Sequence, residues 1–163
     1  MNPSVELRLR TMIRAVTENI LPAIDPHDSL AQEQGRLLLG HLHALLQQHG
    51  HEEALRSRQR RLLDRLARDL LEAGSGGPVT LAARAALGAA LADSDEALSI
   101  AVERFVLATG SDGDAGLREQ TAGLVLAHAA EEVRAGEVWF RAMGFATGIE
   151  APASVAALLE EER

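Results

Sequence analysis

The sequence predicts an all-α protein, and three observations support that fold class. Apolar residues recur at three- and four-residue spacing along most of the chain, which is the period of an amphipathic helix. Runs with the two-residue alternation of strands are absent. Aromatic side chains make up only 2% of the residues, so the core must consist mainly of leucine, alanine, valine and isoleucine, of which leucine and alanine favour helices. We expect one domain over residues 1–163, an antiparallel bundle of five or six helices.

Two helices are predicted before His51, each with its own cap. Ser4 can accept hydrogen bonds at the start of the first helix, and Pro22 should end it because proline has no N–H to donate. Either Asp28 or Ser29 can cap the second helix. Gly50 is placed to end it, since helices commonly finish at a glycine in the left-handed conformation.

The rest of the chain predicts further helices on either side of a glycine-rich loop. A third helix should cover residues 52–73, and Gly74 to Pro78 is the strongest breaker cluster in the sequence. We expect this loop to join the helical halves 1–73 and 79–163 without separating two domains. Residues 80–92 are nearly all alanine and leucine, and the polar run 93–96 offers a cap for another helix.

The longest predicted helix, over about residues 114–144, is expected to be central to the bundle. Its main face is defined by 3.6-residue spacing and holds Leu117, Thr121, Leu124, His128, Glu131, Ala135, Trp139 and Ala142. A second apolar row, formed by Leu126, Val133 and Phe140, repeats every seven residues on the opposite side. Because an ordinary surface helix has one apolar stripe, two stripes predict central burial or a subunit contact.

Within that helix, His128, Glu131 and Glu132 stand where apolar residues are expected. His128 and Glu131 project to the same side, so an imidazole and a carboxylate could share a metal ion or a proton. The Glu-x-x-His pairs of diiron bundles are missing from the sequence. The alternative is a buried ion pair with Arg104 or with an arginine of the third helix, and we favour this structural interpretation.

The second helix carries a histidine on the face that is expected to be buried. Leu38, Leu42 and Leu45 mark its expected buried face, and His41 shares that face. His41 is therefore a further candidate for a ligand or metal site. A core histidine that donates to a carbonyl group is the favoured alternative, because metal-binding histidines come in clusters.

The third predicted helix carries a row of arginines beside its apolar face. Its members, Arg58, Arg61, Arg65 and Arg68, could hold a phosphate or an acidic partner. Several carboxylates lie three or four residues from these arginines, so a self-neutralised, solvated surface is the favoured interpretation.

Composition excludes several functional classes. The chain has no cysteine, and all 16 of its basic residues are arginine. Disulfides, thiolate metal sites, cysteine nucleophiles and lysine Schiff bases are therefore excluded within this chain. The net charge of −8 argues against nucleic acid as a partner. The charge lies in residues 74–163, which hold 6 arginines and 14 acids, whereas residues 1–73 hold 10 of each.

One segment resembles a known family. Residues 19–25 read Asn-Ile-Leu-Pro-Ala-Ile-Asp, and a long helix over residues 34–48 follows them. This succession of helix, Leu-Pro-Ala-Leu-Asp-like junction and Ala/Leu-rich helix resembles a bacterial helical-bundle domain of unknown function. That domain is found beside aminoglycoside-phosphotransferase-like kinases and acyl-CoA dehydrogenases. The resemblance covers about a quarter of the chain, brings no catalytic residues, and implies an accessory or partner role.

These observations lead to one expected function and one alternative. We expect a non-catalytic accessory or interaction protein of the cytoplasm that forms a homodimer, with Leu126, Val133 and Phe140 as candidate contacts. A further protein partner is possible, but no membrane or nucleic-acid partner and no cofactor are expected. The alternative is a small-molecule or metal-binding bundle that uses His128, Glu131, Glu132 and His41, in which a divalent metal would be the only cofactor.

Overall fold

The computed structural model describes residues 2–144 and 152–161, and there it confirms the predicted all-α fold. The only β-type pairing in these ranges is one isolated antiparallel bridge between Gly76 and Gly113. Six of the described helices have between 11 and 25 residues. None of the described helices is long and apolar enough to cross a membrane.

The helices, in chain order, are α1 (Val5–Ala15), α2 (Leu21–Ala23), α3 (Ser29–Gln48), α4 (Glu52–Glu72), α5 (Pro78–Ala90), α6 (Asp95–Asp112), α7 (Ala115–Trp139) and α8 (Val155–Glu160). A π-helical turn (Val16–Ile20) joins α1 to α2, and a 3₁₀ turn (Arg141–Met143) follows α7. The predicted caps at Ser4 and Asp28 are confirmed, because these side chains accept hydrogen bonds from the backbone N–H groups of Leu7 and Ala31.

The chain divides into two compact units, and the division does not follow the glycine-rich loop. The first unit consists of residues 1–55 and 133–163, and the second of residues 56–132. Residues 74–78 lie inside the second unit. The helices α4 and α7 each contribute residues to both units.

In the first unit, α1 packs against one side of α3. Leu9 and Val16 are buried together with Leu42 of α3, and Leu39 and Leu46 of α3 pack against this cluster. The expected burial of Leu38 and Leu45 is therefore wrong, since both are about half exposed. Leucine occupies positions 37–39 and 45–46, so the helical spacing fits two faces of α3 equally well and could not identify the packed one.

Pro22 does not end the first helical segment, contrary to the prediction. The helix widens into a π turn, in which the N–H of Leu21 bonds to the carbonyl of Val16, and it continues through Ala23. A proline ring clashes with the carbonyl four residues earlier, and a π turn moves that carbonyl away. The π turn contains one residue more than an α-helical turn, and this extra residue makes room for the proline ring.

The helix α7 ends at Trp139, five residues before the predicted end at Gly144. The side-chain amide of Gln48 donates to the carbonyl of Trp139 at 2.9 Å, which satisfies one of the terminal acceptors. The chain then tightens into the 3₁₀ turn and leaves it at Gly144, whose φ of 77° is in the left-handed region that favours glycine. The end of α7 packs against α8 through Ala135, Val138, Val155 and Leu158.

The second unit has the largest buried cluster among the described residues. Its members come from α4, α5 and α6, and they are Leu66, Ala67, Leu70, Leu87, Leu98, Ala101, Val102 and Phe105. Leu124 of α7 packs against this cluster. Phe105 is fully buried, and the guanidinium of Arg84 lies 5.7 Å from the centre of its ring, within cation–π range.

Asp112, at the end of α6, caps the start of α5. Its carboxylate accepts the N–H groups of Val79 at 2.7 Å and of Thr80 at 3.0 Å, and the Thr80 hydroxyl at 2.5 Å. Gly77 permits this approach, because a Cβ atom there would clash with the carboxylate. The hydrogen bond from the Thr80 hydroxyl, followed by those from the two N–H groups, holds the pKa of Asp112 below its usual value.

The end of α4 is held by an arginine of α5. Arg84 of α5 donates to the carbonyls of Leu71, Ala73 and Gly74, which end α4. The last carbonyls of a helix have no partners within it, and a cationic side chain also suits the negative end of the helix dipole. A charge that the sequence places alone in an Ala/Leu-rich helix thus terminates a neighbouring helix.

The Asp112 cap leads to a prediction about acid stability. Because the folded-state pKa is depressed, the carboxylate stabilises the fold at pH values above its unfolded pKa of about 3.9. That contribution is lost as the pH falls through the folded-state pKa. We expect Asp112→Ala to lower the melting temperature by a few degrees at neutral pH, as loss of a helix cap does. The difference from the unsubstituted protein should shrink below about pH 4.

The matched control is Glu103→Ala, which removes an exposed carboxylate from the same helix. This variant should melt within experimental error of the unsubstituted protein at each pH. Thermal unfolding followed by circular dichroism from acidic to neutral pH measures both effects. An Asp112 difference that stays constant down to the most acidic pH would contradict the assigned role.

Candidate functional site around His128

The predicted main face of α7 is the side that packs against the protein. Leu117, Thr121 and Ala135 are buried, and His128 and Glu131 are half-buried. The ionisable groups singled out in the sequence are therefore partly covered, and they lie on the packed side of the helix.

Glu131 forms an ion pair with a buried arginine of α4. The Nη2 atom of Arg58 lies 2.8 Å from a carboxylate oxygen of Glu131. Arg58 is only 1% exposed, whereas the side chain of Glu131 keeps 41% of its exposure. Because α4 corresponds to the third helix predicted from the sequence, the prediction that an arginine of that helix pairs with this cluster is confirmed. A buried guanidinium needs a charged partner, because desolvation without one is costly.

The larger of two clefts beside His128 is lined by carboxylates. It has a volume of about 420 Å³ and lies between α4, the start of α6 and α7. Its charged lining comes from Arg60, Asp95, Glu96 and Glu132, and His128 completes it. Three carboxylates against one arginine favour a cationic ligand there.

Arg60 is already engaged in holding the helices. Its guanidinium donates to Asp64 and Asp95 and to the carbonyls of Leu91 and Asp93. The hydrogen bonds to Asp95 and then to Asp64 raise the pKa of Arg60 above its usual value. Because these contacts direct its donors into the turn between α5 and α6, Arg60 is a poor candidate for binding an anionic ligand.

A smaller cleft of about 130 Å³ lies on the other side of His128. It is bordered by Arg65 and Asp69 of α4, and by Leu124 and Glu131 of α7. Its lining is more apolar than that of the larger cleft, because leucines of both helices contribute. His128 is the residue that lines both clefts, so a change at this position alters both.

The proposed metal constellation is not assembled in the described part of the chain. Residues 2–144 and 152–161 contain no group of three or more histidine, aspartate or glutamate residues that could hold a metal ion. Glu131 is engaged by Arg58. His41 is exposed on α3. The expected burial of His41 is therefore wrong.

The arginine row separates into two kinds of residue. Arg61, Arg65 and Arg68 are exposed, as a solvated row or an anion-binding row requires. Arg58 is buried and paired with Glu131, so its assignment to this row is wrong. The helical period cannot distinguish an arginine at the edge of the apolar face from one that points beneath it.

The second apolar row of α7 is exposed in the single chain. Leu126 is 70% exposed, and Val133 and Phe140 are each 53% exposed. Central burial of this row is therefore wrong for the single chain, and a subunit contact remains the prediction for it.

Three residues that organise the second unit were missed by the sequence analysis, namely Arg60, Arg84 and Asp112. Each bonds to a helix end more than ten positions away. The sequence gives one signal, which is the isolation of Arg84 among alanines and leucines. A charge in such a helix must find a polar partner or reach solvent.

No protein-family model, no curated protein and no solved structure matches this chain.

The ion pair between Arg58 and Glu131 leads to a stability prediction. Glu131→Gln removes the carboxylate charge that faces a buried guanidinium, and should destabilise the fold by about 1–3 kcal/mol. Arg58→Met keeps the apolar stem and removes the buried charge, so we expect a smaller loss. Urea denaturation gives the free energy of unfolding for each variant.

Glu132→Gln is the matched control for this prediction. Glu132 is the next residue in the chain and is also half-buried, and the same substitution there should change the free energy of unfolding by less than about 0.5 kcal/mol. Equal losses at both positions would show that the pairing with Arg58 contributes nothing specific.

Proposed function

We propose that this chain is a non-catalytic interaction protein that forms a homodimer through the exposed side of α7. The observation that carries the proposal is the composition of that side. Every exposed residue between positions 122 and 133 is apolar or glycine, although this stretch also contains His128, Glu131 and Glu132 on its packed side. The cores of protein interfaces are depleted in charged residues in the same way.

The shape of this surface supports contact with another helix. Leu126 and Val133 stand two turns apart, and small residues surround them, including Ala122, Gly123 and Ala130. Within the described part of the chain, no atom lies within 4 Å of the Cβ position of Gly123. A glycine inside a helix lowers its stability by about 1 kcal/mol relative to alanine. Close approach of a second helix would explain why glycine stands at this position.

The accessory role rests on the family resemblance, which covers about a quarter of the chain and brings an association with other proteins and no catalytic group. The net charge of −8 argues against nucleic acid as the partner. The absence of cysteine favours the cytoplasm as the setting.

The α7 contact is tested by Leu126→Glu. A buried, unpaired carboxylate is costly in an interface, so this variant should weaken self-association at least tenfold, as measured by sedimentation equilibrium. Leu107→Glu is the matched control, because Leu107 is 67% exposed on α6 and Leu126 is 70% exposed. A monomeric unsubstituted protein at high micromolar concentration, or equal weakening by both substitutions, would reject the α7 contact.

Binding of a small cation at His128 is a second candidate function. The specific observation is that His128 lines two clefts, of which the larger also presents Asp95, Glu96 and Glu132. Neutral imidazole and carboxylates can both accept hydrogen bonds from an ammonium group or ligate a divalent ion. A metal alone lacks a preformed three-residue site among the described residues, so an organic cation is the better ligand class.

Thermal shift measurements with putrescine and with Zn²⁺ test this candidate. A ligand at about one hundred times its dissociation constant stabilises a folded protein by about 2.7 kcal/mol. We expect putrescine to raise the melting temperature of the unsubstituted protein, and His128→Ala together with Glu132→Gln to abolish that increase. Arg68→Gln, a change of an exposed residue outside both clefts, should leave it intact. No increase with either probe would remove this candidate.

A further inference from the structure

The helix α3 has a second apolar side, which lies away from its contact with α1. Leu39, Leu42 and Leu46 pack toward α1. Four other leucines are exposed, and these are Leu30 at 67%, Leu37 at 37%, Leu38 at 48% and Leu45 at 51%. Two exposed polar residues, Gln34 and His41, lie among them. A helix with two apolar sides normally has both of them covered.

The exposed residues form two ridges with a shared pattern. One ridge runs through Leu30, Gln34 and Leu38, and the other through Leu37, His41 and Leu45. Both ridges follow the four-residue spacing along which side chains of packed helices interdigitate. Each places one polar residue between two leucines.

The second ridge, read from its C-terminal end, has the same order of leucine, polar residue and leucine as the first ridge read from its N-terminal end. From the midpoint between Leu37 and Leu38, the next positions outward are Gln34 and His41, followed by Leu30 and Leu45. Each pair is equidistant from that midpoint. A two-fold axis at the midpoint would place leucine near leucine and Gln34 near His41 of the other copy.

We propose that this side of α3 is a contact between two copies of the chain, packed antiparallel about a two-fold axis between Leu37 and Leu38. A two-fold interface must be self-complementary, since the same patch serves both partners. The reversed pattern of the two ridges meets that requirement, whereas contact with an unrelated helix would not require it. This symmetry is what selects a second copy as the occupant.

The polar pair at the centre suits the same register. Gln34 carries both a donor and an acceptor, and neutral His41 does too, so each can satisfy the other across the axis. The symmetry forms this hydrogen-bonded pair twice. A register shifted by one turn would place these polar groups against leucine and leave them unpaired, which costs free energy.

The α3 contact goes beyond the proposed α7 contact because it uses a different helix. The face extends over about 15 residues, or about 22 Å of helix. One helix pair of that length buries less surface than the roughly 800 Å² per partner of a stable complex. We therefore expect association in the micromolar range from this contact alone.

Cysteine cross-linking tests the register directly, because the chain has no cysteine of its own. The variants Gln34→Cys and His41→Cys are purified separately and oxidised alone or as an equal mixture. In the proposed register, position 34 faces position 41 of the other copy. Two copies of the same position are about 10 Å apart along the axis, beyond the 4.4–6.8 Å Cα separation of a disulfide.

The mixture should therefore give several-fold more cross-linked dimer than either variant alone. Equal cross-linking in all three samples would indicate random collision and overturn the proposal, as would the absence of cross-linked dimer in the mixture. These variants keep all four leucines, and circular dichroism before oxidation verifies that they are folded.

Sedimentation of a second pair of variants separates this contact from the one on α7. Leu38→Glu with Leu45→Glu should reduce the association that persists in Leu126→Glu. If the α3 substitutions change nothing while Leu126→Glu abolishes association, the α3 proposal fails and the α7 contact stands. If only the α3 substitutions reduce association, the α7 contact fails and the α3 proposal stands.

Discussion

The second unit depends on charged side chains that satisfy the ends of helices to which they do not belong. Arg84 takes the last carbonyls of α4, Arg60 takes those at the end of α5, and Asp112 takes the first N–H groups of α5. Helix ends carry unpaired backbone groups, and leaving them buried without partners costs free energy. Because the core beneath consists mostly of leucine and alanine around Phe105, these contacts supply directional bonds that small apolar side chains cannot provide. They fix which ends of the helices meet, and thereby the positions of α4 and α6 beside His128.

The same constraint decides what the polar residues of α7 can do. Glu131 lies opposite a buried guanidinium, and this pairing makes it a structural residue. Glu132, on the next position of the helix, faces the larger cleft with His128. Two adjacent glutamates therefore have different roles, because a step of one residue rotates a side chain by about 100° around the helix. The sequence motif of one histidine and two glutamates combines a stabilising ion pair with a separate, partly open cleft.

The features that could be predicted from the sequence are those decided within a few residues. The caps at Ser4 and Asp28 and the packed face of α7 depend on local bonding and helical period, and both are confirmed. The pairing of Glu131 with an arginine of α4 was also predictable, because a half-buried carboxylate needs a cation nearby. The packed side of α3 was not predictable, since leucines at positions 37–39 and 45–46 satisfy two faces at once. The partners of Arg60, Arg84 and Asp112 depend on tertiary contacts that helical periodicity does not report.

The leucines that obscure the packed side of α3 also bear on assembly. In a chain with few aromatic residues, apolar burial must come from many leucines, and helices rich in leucine and alanine become apolar on more than one side. Such sides on α3 and α7 are uncharged, whereas each copy carries a net charge of −8 that opposes association. Uncharged contact surfaces avoid placing that like charge directly at the contact. Two different two-fold contacts on one chain would link copies beyond a dimer, into a closed tetramer or an open filament according to the angle between their axes. If both proposed contacts form, the angle between their axes determines the size of the assembly.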